Sequence, residues 1–149
     1  MSFDFCHNTF TKTHGRLTVT FYTASQVKVT MAKHGKNAEF VPLNIAVLTV
    51  SDTRTEDNDT SGQYLVEALQ AEGHKLIDKQ IVIDDVYLLR AVVSQWIANS
   101  DIQAVLITGG TGFTGRDNTP EALGPLFDKE VEGFGELFRH ISYGEIGTS

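Results

Sequence analysis

Residues Leu43–Val50 read LNIAVLTV and are apolar at nearly every position. A strand with one wet face alternates apolar and polar residues, so a run without alternation has to be covered on both faces. Helices on either side of a parallel sheet provide that cover. The chain beyond Val50 supplies the partners in order. Ser51–Gly62 is a polar loop of turn formers, and Thr60-Ser61-Gly62-Gln63 has capping-box spacing. Tyr64, Leu65, Ala68 and Leu69 then recur at helical spacing, and Gly73 is a natural stop. Lys75–Ile83 reads as a second strand. Asp84 and Asp85 cap a helix whose apolar face is Leu88, Leu89, Val92, Val93, Trp96 and Ile97. Asp101–Thr108 is a third strand. Thr119-Pro120-Glu121 starts another helix, and Phe134, Leu137, Phe138 and Ile141 mark a last amphipathic one.

This alternation predicts an α/β fold with a mostly parallel sheet. Ligands in such sheets bind beyond the carboxyl ends of the strands. Ser51-Asp52, Asp84-Asp85 and Gly109–Asp117 all fall there.

Residues 1–41 have a different texture. Leu17, Val19 and Phe21 alternate with Thr18, Thr20 and Tyr22, a weak strand signal, and Met31 opens a polar stretch, MAKHGKNAEF. Residues 1–30 are either an added strand or sequence upstream of a start at Met31. The regular pattern begins only at Pro42, which favours the second reading. The expected organisation is an N-terminal extension over 1–41 and a folded domain over 42–149.

A length of 149 residues allows one domain. The net charge of −7 repels phosphate backbones and argues against nucleic-acid binding, but not against a small phosphorylated ligand held by amides and a cation. One cysteine, Cys6, cannot close an internal disulfide, which favours a cytoplasmic setting. The apolar runs are far shorter than the ~20 residues of a membrane span. Asp4, His7, Asn8 and Lys12 break up any signal-peptide core.

The most informative stretch is Thr108–Pro120, TGGTGFTGRDNTP. Glycines at 109, 110, 112 and 115 let backbone N–H groups approach an anion closely. A tight strand-to-helix turn would use glycine too, though rarely four of them. Gly110–Gly115 satisfies G-x-G-x-x-G, yet the helix signal comes only at Thr119, later than a dinucleotide fold requires. It also has P-loop spacing, but Arg116 and Asp117 replace the lysine and hydroxyl of that motif. Asp117 is placed to hold a cation, and Asp84 offers a second carboxylate. Mg²⁺ is commonly bound by such a pair together with substrate phosphates. The alternatives are a loop acid bonded to Asn118 or Thr119 backbone, and a helix cap at Asp84.

LTVSD at Leu48–Asp52, ITGGTGFTGRDNTPEAL at Ile107–Leu123 and EVEGFGELFR at Glu130–Arg139 resemble the MogA/MoaB-type molybdopterin adenylyltransferase family, which includes the gephyrin G domain. DTSGQYL at Asp59–Leu65 and SYGEIGTS at Ser142–Ser149 are similar to its bacterial MoaB branch. The resemblance implies a three-layer α/β/α sandwich. It implies transfer of AMP from Mg-ATP to the molybdopterin phosphate, with release of pyrophosphate. Asp84 and Asp117 match the family's catalytic, metal-holding aspartates, with Asp85 replacing Asp84 if the register is off by one. Thr108, Gly109, Gly110, Thr111 and Gly112 match the nucleotide and pterin loop, and Ser51 and Asp52 the loop after the first strand. The partners implied are these small molecules and further copies of the chain, as a trimer or hexamer. No protein nucleophile is needed. Family members continue past a Glu-Ile-Gly-Thr-Ser segment into a serine/arginine segment, a strand and a substrate loop, so a C-terminally incomplete domain is expected. Two other functions share parts of the pattern. One is a non-catalytic pterin- or nucleotide-binding subunit of the same pathway. The other is a dinucleotide-dependent oxidoreductase, which needs a helix starting inside the glycine loop.

Overall fold

A computed structural model describes residues 9–11, 18–21, 40–112, 115, 117–130, 132–133, 135–137 and 140. In chain order the elements are β1 (Thr9–Thr11), β2 (Thr18–Phe21), β3 (Asn44–Val50), α1 (Thr60–Ala71), β4 (Lys75–Val82), α2 (Val86–Ala98), β5 (Ala104–Gly109), α3 (Thr119–Leu123) and β6 (Lys129–Glu130). They build one sheet in the order β4-β3-β5-β2-β1-β6. β3 pairs in parallel with β4 and β5, and β5 in parallel with β2. Among the described residues, only the β2–β1 and β1–β6 pairings are antiparallel.

The apolar run forms the heart of the sheet, as its composition demands. Ala46, Leu48 and Val50 face α2 and α3, packing with Leu89, Val93, Trp96, Ile107 and Leu123. Ile45 and Val47 face the other way, against Leu65, Val66 and Leu69 of α1. The result is an α/β/α sandwich with a separate apolar layer on each face of the sheet. Leu48, Val47, Leu89 and Ile107 are completely buried, each stabilising by about 1.5–3 kcal/mol relative to exposure.

β4 lies at one edge of the sheet, and its register with β3 shifts after Ile45, which faces Leu76 while Ala46 faces Asp78. Ile77 is the extra residue and is exposed. The shift sets the later faces of the strand. Lys79 then lies opposite Val47 on the α1 face. Asp78 lies on the α2 face, where its carboxylate accepts the Trp96 indole N–H at 2.9 Å.

Several boundaries differ from the sequence reading. The strand signal at Leu17–Tyr22, within the expected N-terminal extension, corresponds to β2, and Thr9–Thr11 adds β1. β5 begins at Ala104 because the preceding residues turn: the Asp101 N–H bonds to Asn99 Oδ1, and the Gln103 N–H to the Asn44 carbonyl. The cap of α1 is Asp59, one residue before Thr60, and its Oδ1 accepts the Gly62 N–H at 2.9 Å. Asp59 wins because its second oxygen also bonds Thr49. Of the last predicted helix, Gly135–Leu137 are helical, while Phe134, Phe138 and Ile141 lie outside the described residues, as does Cys6. No described helix is long and apolar enough to cross a membrane.

Candidate functional site

Three of the parallel strands, β4, β3 and β5, end side by side. The Ser51 N–H bonds to the Val82 carbonyl at 2.9 Å, which ties the exits of β3 and β4 together. The Ser51 hydroxyl accepts the Thr53 and Arg54 N–H groups and folds the loop back on itself. Asp52 then reaches sideways, and its Oδ1 accepts the Asp84 N–H at 3.1 Å. Thr108 is buried on β5 directly beside Thr49 of β3.

Asp84 and Asp85 divide two tasks between them. Asp85 is the cap of α2, and its Oδ1 accepts the Tyr87 and Leu88 N–H groups, both at 2.9 Å. Asp84 is thereby released from capping, and its side chain is buried among the loops. Its two oxygens share the Asn118 N–H at 3.2 and 3.3 Å. Burial raises the pKa of Asp84, and the nearby charges of Asp117 and Asp52 raise it further, against the opposing effect of the Asn118 bonds. Asp52, Asp84 and Asp117 therefore belong to one acidic site.

The glycine loop follows the contour of these acids. Gly109 and Gly110 have φ of 95° and 64°, conformations that exclude most side chains. A Cβ at Gly109 would strike the Val50 carbonyl oxygen. A Cβ at Gly110 would strike Thr119 Oγ1 and lie 2.7 Å from Asp84 Oδ2. At Gly112 it would lie 2.7 Å from Asp117 Oδ2. Both carboxylates thus press against loop backbone where no side chain fits. Thr119, fully buried, closes the loop: its N–H bonds to the Gly110 carbonyl at 3.1 Å and its hydroxyl to the Gly109 carbonyl at 3.2 Å.

Thr119 reads as a capping hydroxyl in the sequence, yet the N-cap of α3 is Asn118, with no side-chain cap bond. The helix starts only at Thr119, so the glycine loop is not the opening turn of a helix and the dinucleotide-fold reading loses its required feature. Among the sequence-predicted residues, Ser51 shapes the first loop, whereas Asp52, Asp84 and Asp117 form the acidic site against Gly110 and Gly112. Asn118 joins them through its backbone amide, which a motif of side-chain types does not single out, and Thr119 through a buried hydroxyl that bonds the loop instead of capping the helix. Among the described residues, no group of three or more His, Cys, Asp and Glu has the geometry to hold a metal ion by itself. Two carboxylates facing one loop suit instead a hard cation that brings its own phosphate and water ligands.

Similarity to known proteins follows the same segments. Residues 46–148 match the family model described as probable molybdopterin binding domain. The chain is 59% identical over 113 residues to molybdenum cofactor biosynthesis protein B of Escherichia coli strain K12, covering 76% of this chain and 66% of that protein. It therefore spans about two thirds of that relative's length. Among solved structures, one of a molybdenum cofactor biosynthesis protein B aligns with a TM-score of 0.66 at 48% identity, covering 72% of this chain and 67% of that one. The tungsten cofactor synthesizing protein MoaB of Pyrococcus furiosus aligns with a TM-score of 0.60 at 39% identity, covering 71% and 66%. With the family model matching well over half of its residues, the chain belongs to the molybdopterin-binding domain family.

Proposed function

We propose that this chain acts in molybdenum cofactor biosynthesis and transfers AMP from Mg-ATP to the phosphate of molybdopterin, releasing pyrophosphate. The observation that carries this reading is the placement of Asp84 and Asp117 against the backbone of one glycine loop at the carboxyl ends of parallel strands. Joining two phosphates requires three things: a surface that admits both, neutralisation of their charge, and fixed geometry.

Asp84 and Asp117 are the residues that would hold Mg²⁺, which when bound would offset charge on the departing pyrophosphate. Their fit rests on the donor set, hard oxygens from two carboxylates; burial raises the pKa of Asp84, and the neighbouring Asp117 charge adds to it. Glycine at 109, 110 and 112 lets the loop backbone itself pack against Asp84 and Asp117, so that a phosphate sharing their cation would lie close to the loop amides. Asp52 holds the Asp84 backbone, and Asn118 orients the Asp84 carboxylate. Asp85 keeps its capping role. A trimer or hexamer and a cytoplasmic setting belong to the same reading.

The test is to incubate the protein with molybdopterin and Mg-ATP and follow adenylylated product and pyrophosphate. Stoichiometric pyrophosphate release that depends on molybdopterin supports the proposal. Tight binding of either ligand with no turnover replaces it with the non-catalytic binding subunit.

A further inference from the structure

Arg90 sits on α2, in the same strand–helix segment as Asp84, and reaches across to α3. Its Nε donates to the Ala122 carbonyl at 2.8 Å and its Nη2 to the Glu121 carbonyl at 3.2 Å. These carbonyls belong to the last turn of a five-residue helix, where few intrahelical donors remain to satisfy them. At the other end of α3, Asp84 accepts the Asn118 N–H. The β4–α2 segment therefore grips α3 at both ends, with a carboxylate at its N-terminus and a guanidinium at its C-terminus. Both charges match the direction of the helix dipole.

The two grips differ in strength. The Asp84 grip is one N–H divided between two oxygens at 3.2 and 3.3 Å. A cation or its phosphates arriving at Asp84 would compete for those oxygens. The Arg90 grip is two separate charge-assisted bonds to backbone carbonyls at the opposite end of α3, and it uses neither oxygen of Asp84. What α3 carries makes this matter. Its first residue, Thr119, holds the Gly109 and Gly110 carbonyls. A slide of α3 would move the glycine loop and the Asn118 amide together.

We propose that Arg90 is a positioning residue for the site. By fixing the C-terminal turn of α3, it keeps the glycine loop in place relative to Asp84, above all when a ligand occupies the Asp84 carboxylate. The identity of that ligand as Mg-ATP rests on the function proposed above; the mechanical role of Arg90 does not.

The experiment compares the full chain with Arg90→Met and Arg90→Lys. Amide hydrogen exchange is measured with and without Mg-ATP, and Mg-ATP affinity by calorimetry. In Arg90→Met, exchange at Asn118 and Thr119 should accelerate by about tenfold while the β3 amides stay as protected as in the wild type. The Mg-ATP Kd should rise by about tenfold. Arg90→Lys, which keeps the charge and can reach one carbonyl, should fall between, and it carries the test if Arg90→Met does not fold. Unchanged exchange at Asn118 and Thr119, or acceleration spread equally over the β3 amides, overturns the proposal. A wild-type protein that ignores Mg-ATP removes the adenylylation reading alone, because the ligand-free exchange still decides for or against Arg90.

Discussion

Lys79 Nζ lies 3.0 Å from Asp59 Oδ2, and the Asp59 side chain has no exposed surface at all. The same oxygen accepts the Thr49 hydroxyl at 3.0 Å, and the other accepts the Gly62 N–H. Lys79 also reaches Glu56 at 2.7 Å. This cluster pins both ends of the loop that carries Asp52: Thr49 is on β3 before it, and Asp59 opens α1 after it. Removing the cation leaves a buried carboxylate without its partner. Lys79→Met should therefore cost about 3–5 kcal/mol, read as a fall in Tm of roughly 10 °C. A fall of only a degree or two would mean that the pair contributes like an exposed one.

The same pair sets a pH window. Burial works to raise the Asp59 pKa, but the Gly62 and Thr49 bonds and the Lys79 charge outweigh it and leave it lowered. Its contribution is present above the ordinary carboxylate value of 3.8 and is lost as pH falls through the folded-state value. Burial works to lower the Lys79 pKa, but Glu56 and Asp59 leave it raised. That contribution is present below 10.5 and is lost as pH rises through the folded-state value. Wild type should lose stability at both extremes, and Lys79→Met should lack the alkaline arm. Thermal melts across pH check this.

Asp84 follows the opposite sign. Its pKa is raised by burial and by Asp117 and Asp52, so its ionised form is disfavoured in the folded state. The native state then holds its proton more tightly than the unfolded chain, and stability falls as pH rises from 3.8 through the folded-state value. Asp84→Asn keeps an oxygen for the Asn118 N–H and removes the charge. In metal-free buffer at pH 7 it should melt at or above the wild-type temperature, with a gain of about 1 kcal/mol or less that vanishes in acid. Pyrophosphate release should fall by about a hundredfold or more. A destabilised Asp84→Asn would show that its charge supports the fold.

Glycines 110 and 115 separate geometry from composition. A Cβ at Gly110 meets Thr119, Asp84 and Val50, and φ is positive, whereas a Cβ at Gly115 meets nothing within 4 Å. Gly110→Ala should cost about 2 kcal/mol or more and disrupt ligand binding. Gly115→Ala should stay within about 0.5 kcal/mol of wild type. Equal melting temperatures for the two variants would contradict the packing of Asp84 and Thr119 on the loop.

The central elements were legible because their residues follow patterns imposed by burial. LNIAVLTV became β3 almost residue for residue, since nothing but a doubly covered strand tolerates it. The acids at 84 and 117 were legible by their place after strands and beside glycines. The division of labour between Asp84 and Asp85 was not, because both residue types cap helices equally well. Lys79 and Arg90 were hidden for a related reason. A lysine in KLIDKQIVI or an arginine between Leu89 and Val92 reads as an outward-facing charge. Only the register shift at Ile77 and the arrival of α3 from far along the chain supply their partners. Asp59-x-x-Gly62 does carry a trace in the sequence, since a cap followed by glycine at its bonded amide leaves room for a buried carboxylate.

The N-terminal residues give the last prediction. The sequence favours reading 1–30 as dispensable, but β2 pairs with β5 from Thr18↔Ala104 to Phe21↔Ile107 and separates it from β1. Removing 1–30 would strip that ladder and leave the N–H and C=O groups along one side of β5 unpaired. β5 is a poor edge: Val105 and Ile107 are fully buried, and no charge interrupts Ala104–Gly109. An unpaired apolar edge recruits another strand, and a second copy of β5 is the nearest available. The chain from Met31 to Ser149 should therefore melt below the full chain and self-associate more strongly, with its apparent mass rising over the micromolar range in sedimentation. If deletion leaves both Tm and sedimentation unchanged, β2 adds nothing to the sheet's stability, and the upstream-sequence reading of residues 1–30 stands.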